Sequence, residues 1–169
     1  MKATLKESTQ QKTRTNLQNP KKERQDYQFL TAIKEMINSK SLREEGFNKL
    51  QQVDADTLSV KLQVYYHYIK GKYFVLTFKD SNDKDVELLQ YANDCYSDMV
   101  SFAYKNKFSL KEAKSHFARA YCKYLIATYH PSEDVKNKLF KKVEQISDRI
   151  LNYNPDNESF LWLKAQLAS

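Results

Sequence analysis

Glycine and proline are scarce in this chain, with two of the first and three of the second among 169 residues. Tight turns with positive φ lean on glycine, so the scarcity argues against a β-rich fold and for a few long helices. No apolar run approaches the roughly 18 residues of a membrane-spanning helix, which predicts a soluble protein with no membrane span. Cysteine is scarce too. Cys95 and Cys122 form no metal-type cluster and predict reduced thiols in an intracellular protein, with a single disulfide as the other reading. His67, His116 and His130 form neither H-x-x-x-H nor H-E-x-x-H, so neither a metal nor a cofactor is expected. The one glycine-containing stretch that invites comparison with a phosphate loop, "IKGKYF", lacks the glycine run and follows no strand. A nucleophilic pair of Cys95 with His116 or His130 is the sole catalytic arrangement to weigh, and an inert buried cysteine with a surface histidine is preferred to it. No catalytic residue is predicted, and the chain is expected not to be an enzyme.

What is present is charge, unevenly placed. The net charge is +7. Residues 1–24 carry seven basic side chains against two acidic ones, a net +5, which leaves only +2 for residues 25–169. The segment includes Lys12, Arg14, Lys21, Lys22 and Arg24 and has few apolar residues. It cannot bury enough surface to offset its ordering entropy, so residues 1–24 are read as a flexible basic arm. The arm has no secretory apolar region, and it is too poor in arginine for a typical transit peptide. The cytoplasm is therefore the expected compartment, with mitochondria as the alternative.

Residues 25–169 read as one α-helical domain. Tyr27, Leu30, Ile33 and Ile37 recur at helical spacing over 22–38, and Phe47, Leu50 and Val53 over 42–53. A third helix is predicted over 57–78, although Leu58, Val60, Leu62 and Val64 alternate as in a strand, because the helical spacing continues through Leu76. Gly71 inside it costs about 1 kcal/mol relative to Ala, which predicts a close helix contact there. A fourth helix follows "KDSNDKD" and runs to about Tyr104. Ser109-Leu110-Lys111-Glu112 is a capping box opening a fifth. Pro131 suits the first turn of a sixth. Asn154-Pro155 closes that one, and a seventh helix covers about 157–168. Short connections make neighbours antiparallel, so the chain is expected to be three helix hairpins and a final capping helix.

In the first hairpin Leu30, Ile33, Ile37, Gly46, Leu50 and Val53 lie at offsets 0, 3, 7, 16, 20 and 23. This spacing resembles the tetratricopeptide repeat, and "RILNYNPDNESFLWL" is similar to that family's inter-repeat stretch. The resemblance covers about 27–55 and 143–168, with helix pairs of no strict period between. It implies an all-α superhelix that binds other proteins, with an unrelated helical bundle as the alternative. Lys34 departs from the family's small residue. Thr31 and Glu35 stand where its carboxylate clamp needs Lys and Asn, so that only Arg119 remains of such a clamp. In the tail, Phe160, Leu163 and Leu167 are predicted to face inward, with Leu161 and Ala165 extending that face and Trp162 on its flank.

Twelve tyrosines are the chain's most unusual feature. Tyrosine has an apolar body and one polar tip, which suits half-buried positions and interfaces. Most are expected to be core packing. Tyr66, Tyr68 and Tyr124 are predicted to meet a partner in a groove, with Arg119 and Trp162 as further contacts. The expected function is a non-catalytic adaptor or structural subunit of a larger assembly, its basic arm docking on that assembly. The competing class is an RNA- or DNA-associated helical protein using the arm and the Lys136–Lys142 stretch, where Lys136, Lys138, Lys141 and Lys142 cluster.

Overall fold

The computed structural model describes residues 19–110 and 113–168. Lys12 and Arg14 of the basic arm lie outside the described residues, as do Lys111 and Glu112 of the capping box. The described residues form seven α-helices: α1 Pro20–Asn38, α2 Arg43–Gln51, α3 Val60–Asp80, α4 Val86–Lys105, α5 Ala113–Tyr129, α6 Glu133–Leu151 and α7 Glu158–Leu167. One 3-10 turn, Ala55–Thr57, precedes α3, and the described residues contain no strand.

Local chemistry sets the helix starts. The Asn19 side chain accepts from the Lys21 backbone N–H at 3.0 Å, and Pro20 occupies the first helical position, where its missing N–H costs nothing. Lys21, Lys22 and Arg24 thereby belong to α1 rather than to an arm. Ser59, Asp85 and Asn157 cap α3, α4 and α7 in the same manner. Pro131 differs from expectation. It lies outside α6, and the turn before that helix is held by the Ser132 N–H donating to His130 Nδ1 at 3.0 Å.

The helices pack as sequential pairs, α1 with α2, α3 with α4 and α5 with α6, and α7 covers α5 and α6. Among the described residues the odd-numbered helices touch in series, α1 to α3, α3 to α5 and α5 to α7, whereas the even-numbered ones do not touch one another. Each core is shared between neighbouring pairs. Leu30, Ile33, Ile37, Leu50, Leu62 and Ile69 join α1, α2 and α3. Phe78, Leu89, Tyr96, Met99 and Ile126 join α3, α4 and α5. Val143, Ile150, Phe160 and Leu163 join α6 to α7.

Helix α3 is central, and its buried residues fall on two opposite faces: Leu62, Ile69 and Tyr73 in the core with α1 and α2, and Val64, Gly71, Val75 and Phe78 toward α4 and α5. That placement explains why Leu62 and Val64 alternate like a strand while belonging to a helix. Tyr73 stacks on Phe47 at 3.8 Å, and its hydroxyl donates to Glu44 at 2.7 Å. Burial and then the Glu44 carboxylate push the Tyr73 phenol up to about 12. At the hairpin of α1 and α2, a Cβ added to Gly46 would lie 2.9 Å from Met36 Cβ and 3.1 Å from the Ile37 backbone nitrogen. Glycine is there because the two backbones meet.

The sequence did not suggest the burial of Arg43. Its Nε donates to the Ile37 carbonyl at 2.9 Å, and its Nη1 to the Leu76 carbonyl at 3.2 Å and to Asp80 at 2.6 Å. One side chain thus ties the end of α1 and the start of α2 to the end of α3.

Candidate binding groove

Because α1 adjoins α3 and α3 adjoins α5, their side chains at helical spacing form rows along one surface. Tyr65 and Tyr68 are three residues apart on α3, their rings 6.3 Å apart and stacked, and Tyr65 stacks on Tyr27 of α1 at 5.7 Å. On α5, Phe117, Tyr121 and Tyr124 form a second stacked row at 5.6 and 6.3 Å. Two adjoining hollows lie along these rows. One of about 270 Å³ is lined by Tyr27, Tyr65 and Tyr68, and one of about 200 Å³ by Tyr68, Phe117 and Tyr121. Tyr68 and Lys114 line both, so the hollows form one groove between α3 and α5.

The groove is basic. Lys61, Lys72, Lys79 and Lys114 line it, and no carboxylate among the described residues does. The Lys61 ammonium sits 6.0 Å from the Tyr27 ring centre and that of Lys79 5.9 Å from Tyr121, distances at which a cation is drawn to a ring face. Burial lowers the Lys72 pKa, and the charges of Lys34 and Lys114 lower it further, against the pull of Glu35. Glu35 is itself paired with Lys34 at 2.9 Å. Burial also raises the Tyr121 phenol.

The predicted site residues divide among three places. Tyr68 lies in the groove. Tyr124 and Trp162 come together on its far side, where Trp162 is 6.0 Å from Tyr121 and 6.4 Å from Tyr124, and Tyr124 also meets Phe140 at 6.0 Å. Tyr66 is in neither hollow. It packs against the core of α1, α2 and α3 and meets His67 edge-on at 5.5 Å. Arg119 lines a different cleft with Lys123, Lys142 and Arg149, on the side of α5 away from Phe117 and Tyr121. Thr31 and Glu35, the clamp positions, hold no cation: Glu35 accepts from Asn38 at 3.2 Å besides pairing with Lys34. Of the Lys136–Lys142 stretch, Lys136 pairs with Glu133 at 2.7 Å, and Lys138, Lys141 and Lys142 are exposed. Sequence reasoning missed Tyr27, Tyr65, Lys61 and Lys79 as groove residues. The signal was the step of three between Tyr65 and Tyr68, which places them on the same side of α3.

The cysteines are free and buried. Burial pushes the Cys95 thiol up to about 11 and that of Cys122 to about 12. Cys122 donates to the Leu89 carbonyl at 3.4 Å. His116 is engaged elsewhere, with Nε2 2.9 Å from the Leu110 carbonyl, and His130 accepts from Ser132. Among the described residues no three His, Cys, Asp or Glu side chains are grouped to hold a metal, and no helix is long and apolar enough to cross a membrane.

No family model, no curated protein and no solved structure matches this chain.

Proposed function

We propose that this chain is a non-catalytic interaction subunit, a degenerate tetratricopeptide-like array of helix pairs that receives an extended acidic stretch of a partner protein. The observation that carries this reading is the groove between α3 and α5: stacked tyrosines, four lysines and, among the described residues, no lining carboxylate. Tyrosine supplies contact area at low entropic cost, and the lysines favour carboxylates by charge complementarity. Protonated, buried thiols engaged with the protein interior support the non-catalytic reading. Lys21, Lys22 and Arg24 on the first turns of α1, with Lys12 and Arg14 before them, add attraction toward an acidic assembly.

The test is affinity capture from native cells, comparing the full chain with the double variant Lys61→Glu and Lys79→Glu. Both side chains are exposed, so the fold should be retained, which circular dichroism checks. The wild type should recover a set of proteins that the variant loses. Equal recovery by both would overturn the assignment to this groove.

The second reading is an RNA- or DNA-associated protein. It rests on the exposed Lys138, Lys141 and Lys142 of α6 and on the basic segment before α1. Phosphate contacts give a steep dependence on salt, so a titration with single-stranded RNA at two salt concentrations separates the readings. Tight binding with a steep slope, abolished by Lys138→Gln and Lys141→Gln, would replace the protein-binding proposal.

A further inference from the structure

Among the described residues α4 and α6 make no contact, and on the face of α5 turned toward α6 a cleft opens. Arg119 and Lys123 stand on α5, four residues apart and therefore stacked along one helix face. Lys142, Gln145 and Arg149 face them from α6, at steps of three and four. Together they line a cleft of about 390 Å³. Four cations, one amide and the Ile146 side chain thus line one hollow, and no carboxylate among the described residues does.

This arrangement is costly for a folded protein without a ligand. Lys123 is only 8% exposed, and the acceptor its ammonium reaches is the neutral Asn93 side chain, at 2.8 Å. The Arg119 Nε is buried with no hydrogen-bond partner. Burial lowers the pKa of both groups, and neighbouring cations lower it further: Arg149 for Arg119, and Arg119 and Lys142 for Lys123. Buried charges are normally paired or fully hydrogen-bonded. Asp148 pairs with Lys164 of α7, toward which the charge of Glu144 also acts, and Asp94 accepts from Gln90. Residues 25–169 hold 21 basic and 19 acidic side chains. The four cleft charges exceed that net charge of +2.

We propose that the cleft between α5 and α6 is a binding site for a small soluble polyphosphate anion, held by Arg119, Lys123, Lys142 and Arg149. A lone phosphate monoester brings about −2 and would leave half of the cleft's charge unmatched. A ligand with several phosphate groups balances it. Two arginines offer planar forks that match phosphate oxygens, and the lysines add point charge. The site lies on the opposite side of α5 from the tyrosine groove and does not depend on what that groove binds.

The experiment is calorimetric titration and thermal melting of the full chain with inorganic tripolyphosphate, with sodium sulfate at equal ionic strength alongside. Three proteins are compared: the wild type, Lys142→Gln with Arg149→Gln, and a control, Lys138→Gln with Lys141→Gln, which removes the same charge from exposed positions on the same helix. The wild type and the control should bind tripolyphosphate and melt several degrees higher with it. The cleft variant should bind at least tenfold more weakly, and without ligand it should melt no lower than the wild type because repulsion has been relieved. Failure of the wild type to bind, equal loss in the control, or equal stabilisation by sulfate would overturn the proposal. So would a cleft variant that melts several degrees lower on its own, since the cations would then serve the fold.

Discussion

Gly71 of α3 lies against the ring of Tyr96 of α4 so closely that an added Cβ would stand 2.5 Å from Tyr96 Cε1. Alanine favours a helix over glycine by about 1 kcal/mol. The Tyr96 ring is almost wholly buried and has nowhere to move. Overpacking a closed core costs about 1–3 kcal/mol, so the clash should win. Gly71→Ala should lower the urea midpoint, and a midpoint raised by the substitution would show that the helices part without cost.

Arg43 and Asp80 carry a pH dependence. The Arg43 hydrogen bond, followed by its charge, holds the Asp80 carboxyl below its ordinary value. A depressed folded pKa contributes stability that is present above the unfolded value, near 3.9, and is lost as pH falls through the folded one. The Asp80 side chain is 37% exposed, so salt should weaken the effect. Asp80→Asn should melt lower than the wild type at pH 6, and the gap should close as the pH is lowered toward 2.5. A constant gap would assign the loss to packing.

Removing the arginine itself should be worse. Arg43→Met leaves the Ile37 and Leu76 carbonyls without their donor, at a cost of about 2 kcal/mol beyond the ion pair. Chemical denaturation of Arg43→Met and Asp80→Asn side by side would show the first to be the less stable at every pH.

The last helix is a cover for the stack. Phe160 and Leu163 are fully buried, and Phe160 meets Phe117 edge-on at 5.7 Å. Phe160→Ala should cost about 3–5 kcal/mol and lower the melting temperature by roughly 10 °C. Removing residues 157–169 should lower it by at least as much. Trp162, 45% exposed, should tolerate alanine with a shift of only a few degrees in the same melting assay.

Thiol labelling tests the cysteine environment. With both thiols buried and their pKa values near 11 and 12, a thiol reagent at pH 8 should modify the folded protein slowly and both sites at once in denaturant. Rapid labelling of Cys95 in the native state would mean that α4 opens on its own.

Most of the helices could be read from the chain because a helix buries residues at a fixed local period, and its caps lie within a few residues of its ends. Leu30, Ile33 and Ile37 announce α1, and Asn157 announces α7. The tail was legible only in part. Phe160 and Leu163 face inward as their spacing predicts, but Leu161, 48% exposed, and Ala165 turn outward. Family spacing placed them inside; adjacent positions on a helix diverge by about 100°, so α7 cannot bury Phe160 and Leu161 on one face.

The sites were less legible. The run Lys136 to Lys142 reads as one basic stretch, yet Lys136 is paired within its own helix and Lys142 turns to a cleft floored by Arg119 and Lys123. Neither Arg43 nor Lys123 carries any local mark of burial, because what buries each lies about 30 residues or more along the chain: Leu76 and Asp80 for one, Asn93 for the other.

Local sequence is enough to make this protein helical, to place the turns between helices and to select most of the core. Those properties follow from the apolar period, the caps and the scarcity of turn formers, all of which act over a few residues. That Tyr27, Tyr65 and Tyr68 share a groove with Phe117 and Tyr121, and that four cations meet in a cleft between α5 and α6, follows from the packed structure alone. Those properties depend on which helices touch and which leave a gap, and that is set by the packing of whole helices against one another.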